Sequence, residues 1–347
     1  LGGTVRIGEI SFLIPANQHS VLKTQDWDFL FNDAFDKFKW GISFYSSSEQ
    51  SDDFSKQVKN SISSFLKMKK IKANFKWSAR RGSGSYYLDP TDISRHNMTS
   101  KGFECLIVKI KKNYYIGKTL AIFDAPFSQV RDLKRPQQLP SQAISLRLAR
   151  MLINLSQVKP GDLLLDPFCG IGTLLQEGLY LGMRALGIEL ETSRVKMAQA
   201  NLTWFQKNFL EDSEWNILQG DSRQLSQLFS GTVDGVATEP YLGPLLQGSL
   251  KITEARKRIS ELERFYMLLF RELEEKLKTG KKVAIILPVF PVHHSKPLNL
   301  DLSKILKGTK FHTWDILKGS NLHYLPYVYR KKESRLIREI YVLKKGK

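Results

Sequence analysis

The sequence predicts an α/β protein in two parts: a small, basic domain of mixed helices and strands, then a larger domain built on a mainly parallel sheet with helices on both faces. Three observations carry this. From residue 163 onward, short apolar runs alternate with longer stretches of helical periodicity. The first of those runs ends on an acid and enters a helix through a glycine turn, in "LLLDPFCGIGTLLQEGLYLGMRALGIELE" (163–191). Ahead of it, "DAPFSQVRDLKRPQQLP" (124–140) holds three prolines, several charges and no periodicity, which reads as a linker.

The elements follow in chain order. Phe54 to Leu88 carries nine basic residues and no acid. Within it Val58, Ile62, Phe65 and Leu66 recur at helical spacing, and Lys56, Lys59, Lys67 and Lys70 fall off that stripe, giving an amphipathic helix with a basic face. "IKANFKWSAR" (71–80) alternates as a strand does, "ARRGSGSYYLDP" is a loop holding Arg80 and Arg81, and "FECLIVKI" (103–110) is a further strand. After the linker, Ile144, Leu148, Met151, Leu152 and Leu155 share one helical face over 141–156. Strands are then expected at 163–166, 184–189, 215–219, 233–238 and 282–288, and helices at 173–181, 192–208 and 251–278. "FHTWDIL" and "REIYVLK" close the chain as two strands.

Composition narrows the function. A formal net charge of +19 over 347 residues points to a polyanionic partner, against the plainer reading of a solvated basic surface. The longest apolar runs, such as 283–287, fall far short of the roughly 18 residues a membrane span needs, so no membrane association is expected. Residues 1–10 lack the basic and apolar regions of a secretory signal. Two cysteines form no disulfide framework and no metal cluster, which implies a reducing, cytoplasmic setting without a bound metal. His293 and His294, with no third ligand beside them, read as solvent-exposed.

At the glycine turn, Gly170, Ile171, Gly172 and Thr173 let a ligand approach bare backbone at a helix N-terminus. A dinucleotide fingerprint would place a third glycine where this chain has Leu175. Asp166, at the strand end, would repel a pyrophosphate and attract an ammonium or sulfonium. Glu189 ends the next strand 19 residues after Gly170, where a carboxylate accepts both hydroxyls of a ribose. "LQGDS" adds Asp221 at a third strand end, placed to accept from an adenine amino group. Each acid alone reads first as a solvated loop residue or a helix cap. Together they select S-adenosylmethionine, with Asp166, Phe168, Gly170, Gly172, Thr173, Glu189 and Asp221 as its binding residues.

"VDGVATEPYLGP" (233–244) supplies the chemistry. An exocyclic amine of a base has its lone pair delocalised into the ring. Acceptors that hold its hydrogens free that lone pair and stabilise positive charge as a methyl group arrives, while an aromatic ring holds the base in line. Glu239 and the Pro240 carbonyl are the expected acceptors and Tyr241 the stacking ring. A C5-pyrimidine mechanism would need a cysteine near this strand, and Cys169 beside the cofactor turn is expected to be a packed residue.

"DPFCGIGTLLQEGLYLG", "TEPYLGP", "RDLKRPQQLPSQAISLRLARMLINLS", "KWGISFY" and "YYIGKTLAIFDAPFSQVRD" together resemble the THUMP-domain tRNA guanosine-N2 methyltransferases. These include the archaeal and eukaryotic enzymes that modify guanosine 10 of tRNA. The motif at Glu239 departs from the usual pattern of Asp or Asn, two prolines and an aromatic: the acid is one methylene longer and the ring one place earlier. The resemblance implies a Rossmann-like methyltransferase domain over 141–347, on a seven-stranded mixed sheet. It also implies a linker at 125–140, a small α/β THUMP RNA-binding domain over 39–124, and at 1–38 the surviving part of a ferredoxin-like domain. It implies tRNA as substrate, gripped at its acceptor end. The basic helix and the Arg80–Arg81 loop agree with that, and eukaryotic members also need a small activating protein.

At the C-terminal end, Tyr324, Tyr327 and Tyr329 interleave with Arg330, Lys331 and Lys332. They read equally as an RNA groove or as a packed hairpin. Two other functions remain open at this stage: a DNA amino-methyltransferase with the same motif, and a catalytically inactive RNA-binding module, which the atypical Glu239 and early Tyr241 keep in play.

Overall fold

The computed structural model describes residues 4–18, 22, 27–30, 37–46, 53–77, 79–80, 86–123, 125–139, 144–244, 246, 248–315, 326–330 and 336–347. The chain divides into two units, 3–129 and 130–347.

The first unit contains β1 (Arg6–Pro15), β2 (Lys37–Ser46), α1 (Phe54–Met68), β3 (Lys72–Lys76), β4 (Ala79–Arg80), β5 (Tyr86–Tyr87), α2 (Pro90–Arg95), β6 (Gly102–Ile110) and β7 (Asn113–Ile122). Its sheet runs β1-β7-β6-β2-β5-β4, with β3 paired to β2. The strand expected over 71–80 is thus two strands, β3 and β4. Helix α1 buries Val58, Ile62, Phe65 and Leu66, while Lys56, Lys67 and Lys70 are exposed. Lys59 lies 4.4 Å from the Trp77 ring centroid.

The segment 1–38 is expected as the remnant of a separate domain, but its strand β1 is part of this sheet, antiparallel to β7 along its length. Ile14, Trp27 and Leu30 enter the same core as Phe54, Phe103 and Ile107. Four neighbouring strands are also tied by one buried carboxylate. Glu104 on β6 pairs with Arg6 of β1 at 3.1 Å and accepts from Thr119 of β7 at 2.5 Å and from Ser43 of β2. Burial raises the Glu104 carboxyl above its ordinary range, and Arg6 opposes that shift.

The second unit contains α3 (Ala125–Leu133), which begins just before the division, α4 (Leu146–Ser156), β8 (Leu163–Asp166), α5 (Thr173–Tyr180), β9 (Arg184–Glu189), α6 (Thr192–Phe209), β10 (Trp215–Gln219), α7 (Leu225–Leu228), β11 (Gly235–Thr238) and α8 (Ile252–Lys276). It ends with β12 (Lys282–Phe290), β13 (Leu298–Asn299), α9 (Leu302–Ile305), β14 (Phe311–Thr313), β15 (Tyr327–Arg330) and β16 (Ile337–Lys345). Seven strands lie on the path β10-β9-β8-β11-β12-β16-β14, in the number expected from the sequence, and the short β13 and β15 pair at its side. The first five are parallel, and β16 is antiparallel to both β12 and β14. Of these, β8, β9, β11 and β12 are buried along nearly their whole length, which is why they read as largely apolar runs, while the edge strand β10 exposes Asn216 and Gln219. Chain order reverses between β8 and β11, so the crevice beyond their C-terminal ends is the natural ligand site.

The stretch 125–140, expected as a linker, is not a free connection. It holds α3 over Ala125–Leu133, and Arg131 and Arg135 are buried, at 0% and 5% exposure. Arg131 donates to Glu177 of α5 at 3.1 Å, and Arg135 to the Thr173 hydroxyl at 2.6 Å. Both acceptors lie some 40 residues away in sequence (|i−j| of 46 and 38), so local composition gave no sign of them. No helix among the described residues is long and apolar enough to cross a membrane.

Candidate active site

Four adjacent parallel strands end side by side, and each delivers an acid. Asp166 is the last residue of β8 and Glu189 the last of β9, Asp221 follows β10 by two residues, and Glu239 follows β11 directly. Glu189, Asp221 and Glu239 line one cavity of about 950 Å³, together with Phe168, Gly170, Pro240 and Tyr241. Asp166 and Thr173 line a smaller recess of about 70 Å³ that shares Phe168, Gly170 and Glu239 with it.

Asp166 is 3% exposed and accepts from the Thr238 hydroxyl at 2.7 Å and the Phe168 amide at 3.1 Å. Burial pushes its carboxyl up to about 7. Glu189 accepts from the amides of Gly170 and Glu191, each at 3.0 Å. A carboxylate has about four acceptor positions, so capacity remains for the hydroxyls of a ribose. Gly170, at φ +53°, has nothing within 4 Å of an added Cβ, and ligand atoms can therefore approach its backbone. Gly172, expected at the ligand, is turned elsewhere: at φ +84° it caps α5, and an added Cβ would lie 3.5 Å from Leu202 of α6. Its role here is to make the turn and to admit close helix packing.

The arginines lining the cavity are matched by acids: Arg135 with Asp132 at 3.3 Å, Arg194 with Glu191 at 3.0 Å, Arg223 with Asp221 at 2.5 Å, and Arg338 with Glu239 at 2.8 Å. Arg223 holds the Asp221 carboxyl below its ordinary range. Among the described residues no such ion pair reaches Asp166 or Glu189, so the uncompensated negative charge lies beside the glycine turn. This donor set fits a ligand with a cationic head and a ribose, and it opposes a pyrophosphate.

Tyr241 is 53% exposed, while its carbonyl accepts from the buried Tyr266 hydroxyl at 2.7 Å. The backbone at motif "TEPY" is thereby fixed and the ring is presented to the cavity. Phe265 stands between Phe168 and Tyr241, with centroids 5.7 and 6.3 Å away, which continues an aromatic wall. Cys169 is 5% exposed, and burial raises its thiol far above the ordinary range, which leaves no thiolate nucleophile here.

Several residues were missed by the sequence reading. Thr238 could have been suspected, since it stands directly before the acid in "TEP". Arg338 and Tyr266 come from distant segments. So does Asn201 of α6, whose amide donates to the Ile171 carbonyl at 3.0 Å and steadies the glycine turn. None of these three has a local signature. Of the expected RNA contacts, Lys56 is paired with Asp53 at 2.8 Å on the surface. Arg80 and Arg330 lie on β4 and β15, and Arg81 and Lys331, like Tyr324 and Lys332, fall outside the described residues. β15 pairs with β16, giving the hairpin alternative for that segment its backbone. His293 and His294 are exposed, and no cluster of metal-ligating side chains occurs among the described residues.

The family model of an RMKL-like methyltransferase domain matches residues 133–289, and a DNA methylase model matches residues 20–200. The tRNA (guanine(10)-N2)-dimethyltransferase of Methanothermobacter thermautotrophicus is 33% identical over 137 residues, covering 39% of this chain and 38% of that protein. The tRNA (guanine(10)-N(2))-methyltransferase of Saccharomyces cerevisiae is 24% identical over 151 residues, covering 43% and 34%. The chain thus spans well under two thirds of the length of these relatives. The crystal structure of TrmN from Thermus thermophilus superposes with a TM-score of 0.49 at 16% identity, over 99% of this chain and 83% of that one.

Proposed function

This chain belongs to the methyltransferases that the two family models describe and, within them, to the tRNA guanine-N2 methyltransferase family, and from that membership we propose that it methylates N2 of a tRNA guanosine. The observation that carries the reading is the meeting of three acids around one cavity, with a fourth, Asp166, in the recess adjoining it beside an open glycine turn.

S-adenosylmethionine, when bound, supplies an electrophilic methyl group. Asp166 pairs with the cationic head, Glu189 accepts from the ribose, and Gly170 yields the space for close approach. Asp221 accepts from the adenine amine and shares its carboxylate with Arg223. Glu239 and the Pro240 carbonyl hold the hydrogens of the base amine, and Tyr241 stacks on its ring. The basic face of α1 grips the phosphate backbone, in a cytoplasmic setting; a small activating protein is a further candidate partner.

The Asp166 carboxyl sets a pH dependence. Its folded value of about 7 lies above the unfolded one, so the folded state binds more protons in between and this group lowers stability as pH rises to about 7. A cation binds the ionised form, so affinity for S-adenosylmethionine should rise by up to about tenfold per pH unit below 7 and level off above. Asp166→Asn should flatten the profile and raise the melting temperature of the ligand-free protein at pH 8. Calorimetric titration from pH 5 to 8 tests both, and a flat wild-type profile would refute the pairing.

Lys67 and Lys70 are exposed at and beyond the end of α1. Replacing both by Ala should weaken tRNA binding and lower the slope of log affinity against log salt by about two. An unchanged slope would remove them from the interface.

The main test uses unmodified bulk tRNA and duplex DNA with radiolabelled S-adenosylmethionine, digestion to nucleosides, and Asp166→Ala and Glu239→Ala alongside. Label in N2-methylguanosine that both variants lose supports the reading. Label in DNA would favour the DNA amino-methyltransferase alternative, which the DNA methylase match supports. No label with tRNA still bound would favour a binding module.

A further inference from the structure

Glu239 enters the cavity from the end of β11, and Arg338 meets it from β16, where it stands opposite Pro288 of β12. Arg338 Nε donates to Glu239 Oε1 at 2.8 Å, with the two side chains only 14% and 19% exposed. A guanidinium carries five N–H donors in a rigid fork, and a carboxylate accepts at both oxygens. Side by side, the pair offers an ordered set: acceptor at Oε2, acceptor at Oε1, donor at Arg338.

Guanine presents the complement along its pairing edge, with N2–H and N1–H as donors and O6 as acceptor. The spacing of N1 and N2 matches that of two carboxylate oxygens. Adenine would instead turn the N1 lone pair toward a carboxylate oxygen, and cytosine would do the same with N3, each leaving a buried acceptor unpaired. The extra methylene of Glu239, relative to the usual Asp or Asn, gives the carboxylate its reach toward the guanidinium.

We propose that Arg338 and Glu239 together select guanine: Arg338 donates to O6, Glu239 accepts from N1–H and one N2–H, and the Pro240 carbonyl takes the other N2–H. This rests on the N2-guanosine reading above and deepens it by naming the residue that recognises the base.

The test uses tRNA transcripts carrying guanosine or 6-thioguanosine at the position that labelling identifies. Sulfur is a weak acceptor, and N1–H and the N2 amine are retained. The wild type should favour guanosine by about tenfold or more in kcat/KM, the value of one good base contact. Arg338→Met should slow guanosine by a similar factor and bring the two substrates level. Arg338→Lys, which keeps one donor and the charge, should restore part of the preference. Equal rates on the two substrates in the wild type, or an undiminished preference in Arg338→Met, would overturn the proposal while N2 methylation itself stood. Label on any amine other than N2 would overturn it together with the reading beneath it.

Discussion

Replacing Glu239 by alanine is expected to lower kcat about 100- to 1000-fold, the range for removing one preorganised acceptor or donor from a developing charge. Two effects act in the same direction. The amine loses the acceptor that frees its lone pair, and Arg338, 2.8 Å from that carboxylate in the intact site, is left facing the cavity without it. Without the Glu239 carboxylate beside it, the guanidinium opposes the positive charge that builds on the amine as the methyl arrives. Affinity for S-adenosylmethionine should be retained, because Asp166, Glu189 and Asp221 stand at the other three strand ends. Glu239→Gln keeps an acceptor oxygen without the charge and should fall between alanine and the wild type. Single-turnover rates with saturating cofactor separate the steps. A rate within a few-fold of wild type for Glu239→Ala would remove this residue from the chemistry.

The second large effect is on stability. Glu177 of α5 is 0% exposed and lies between Arg131 of α3 and Arg150 of α4, whose guanidiniums also face the Tyr180 ring at 4.1 and 4.7 Å. Removing one member of a buried ion group costs about 3–5 kcal/mol, because the remaining charges keep their desolvation without their counterion. Glu177→Ala should therefore lower the melting temperature of the second unit by roughly 10 °C. The same change would loosen α5, whose first residue, Thr173, is held by Arg135 next to the cofactor turn. A shift smaller than about 2 °C would mean that the buried group contributes only locally.

Most of the second unit was legible because its signals are local. A parallel strand covered on both faces must be apolar throughout, so β8, β9 and β11 announced themselves as short runs. A strand that ends on an acid before a glycine turn states in a few residues where a cationic ligand goes. The stripe of α1 was equally readable, since its period of 3.6 requires no knowledge of what covers it.

What the sequence determined by itself, then, was the α/β class, the order of the elements, the acids at Asp166, Glu189, Asp221 and Glu239, and the basic face of α1. Only the tertiary structure decided that β1 joins the sheet of the first unit, that 125–139 is a packed helix and arm, that Gly172 faces α6, and that Arg338 stands against Glu239. The physical reason is common to all four. Each depends on a partner far along the chain, and a hydrogen bond or ion pair across such a distance imposes no period and no spacing on the residues around it. Periodicity records which side of an element is buried; it does not record against what.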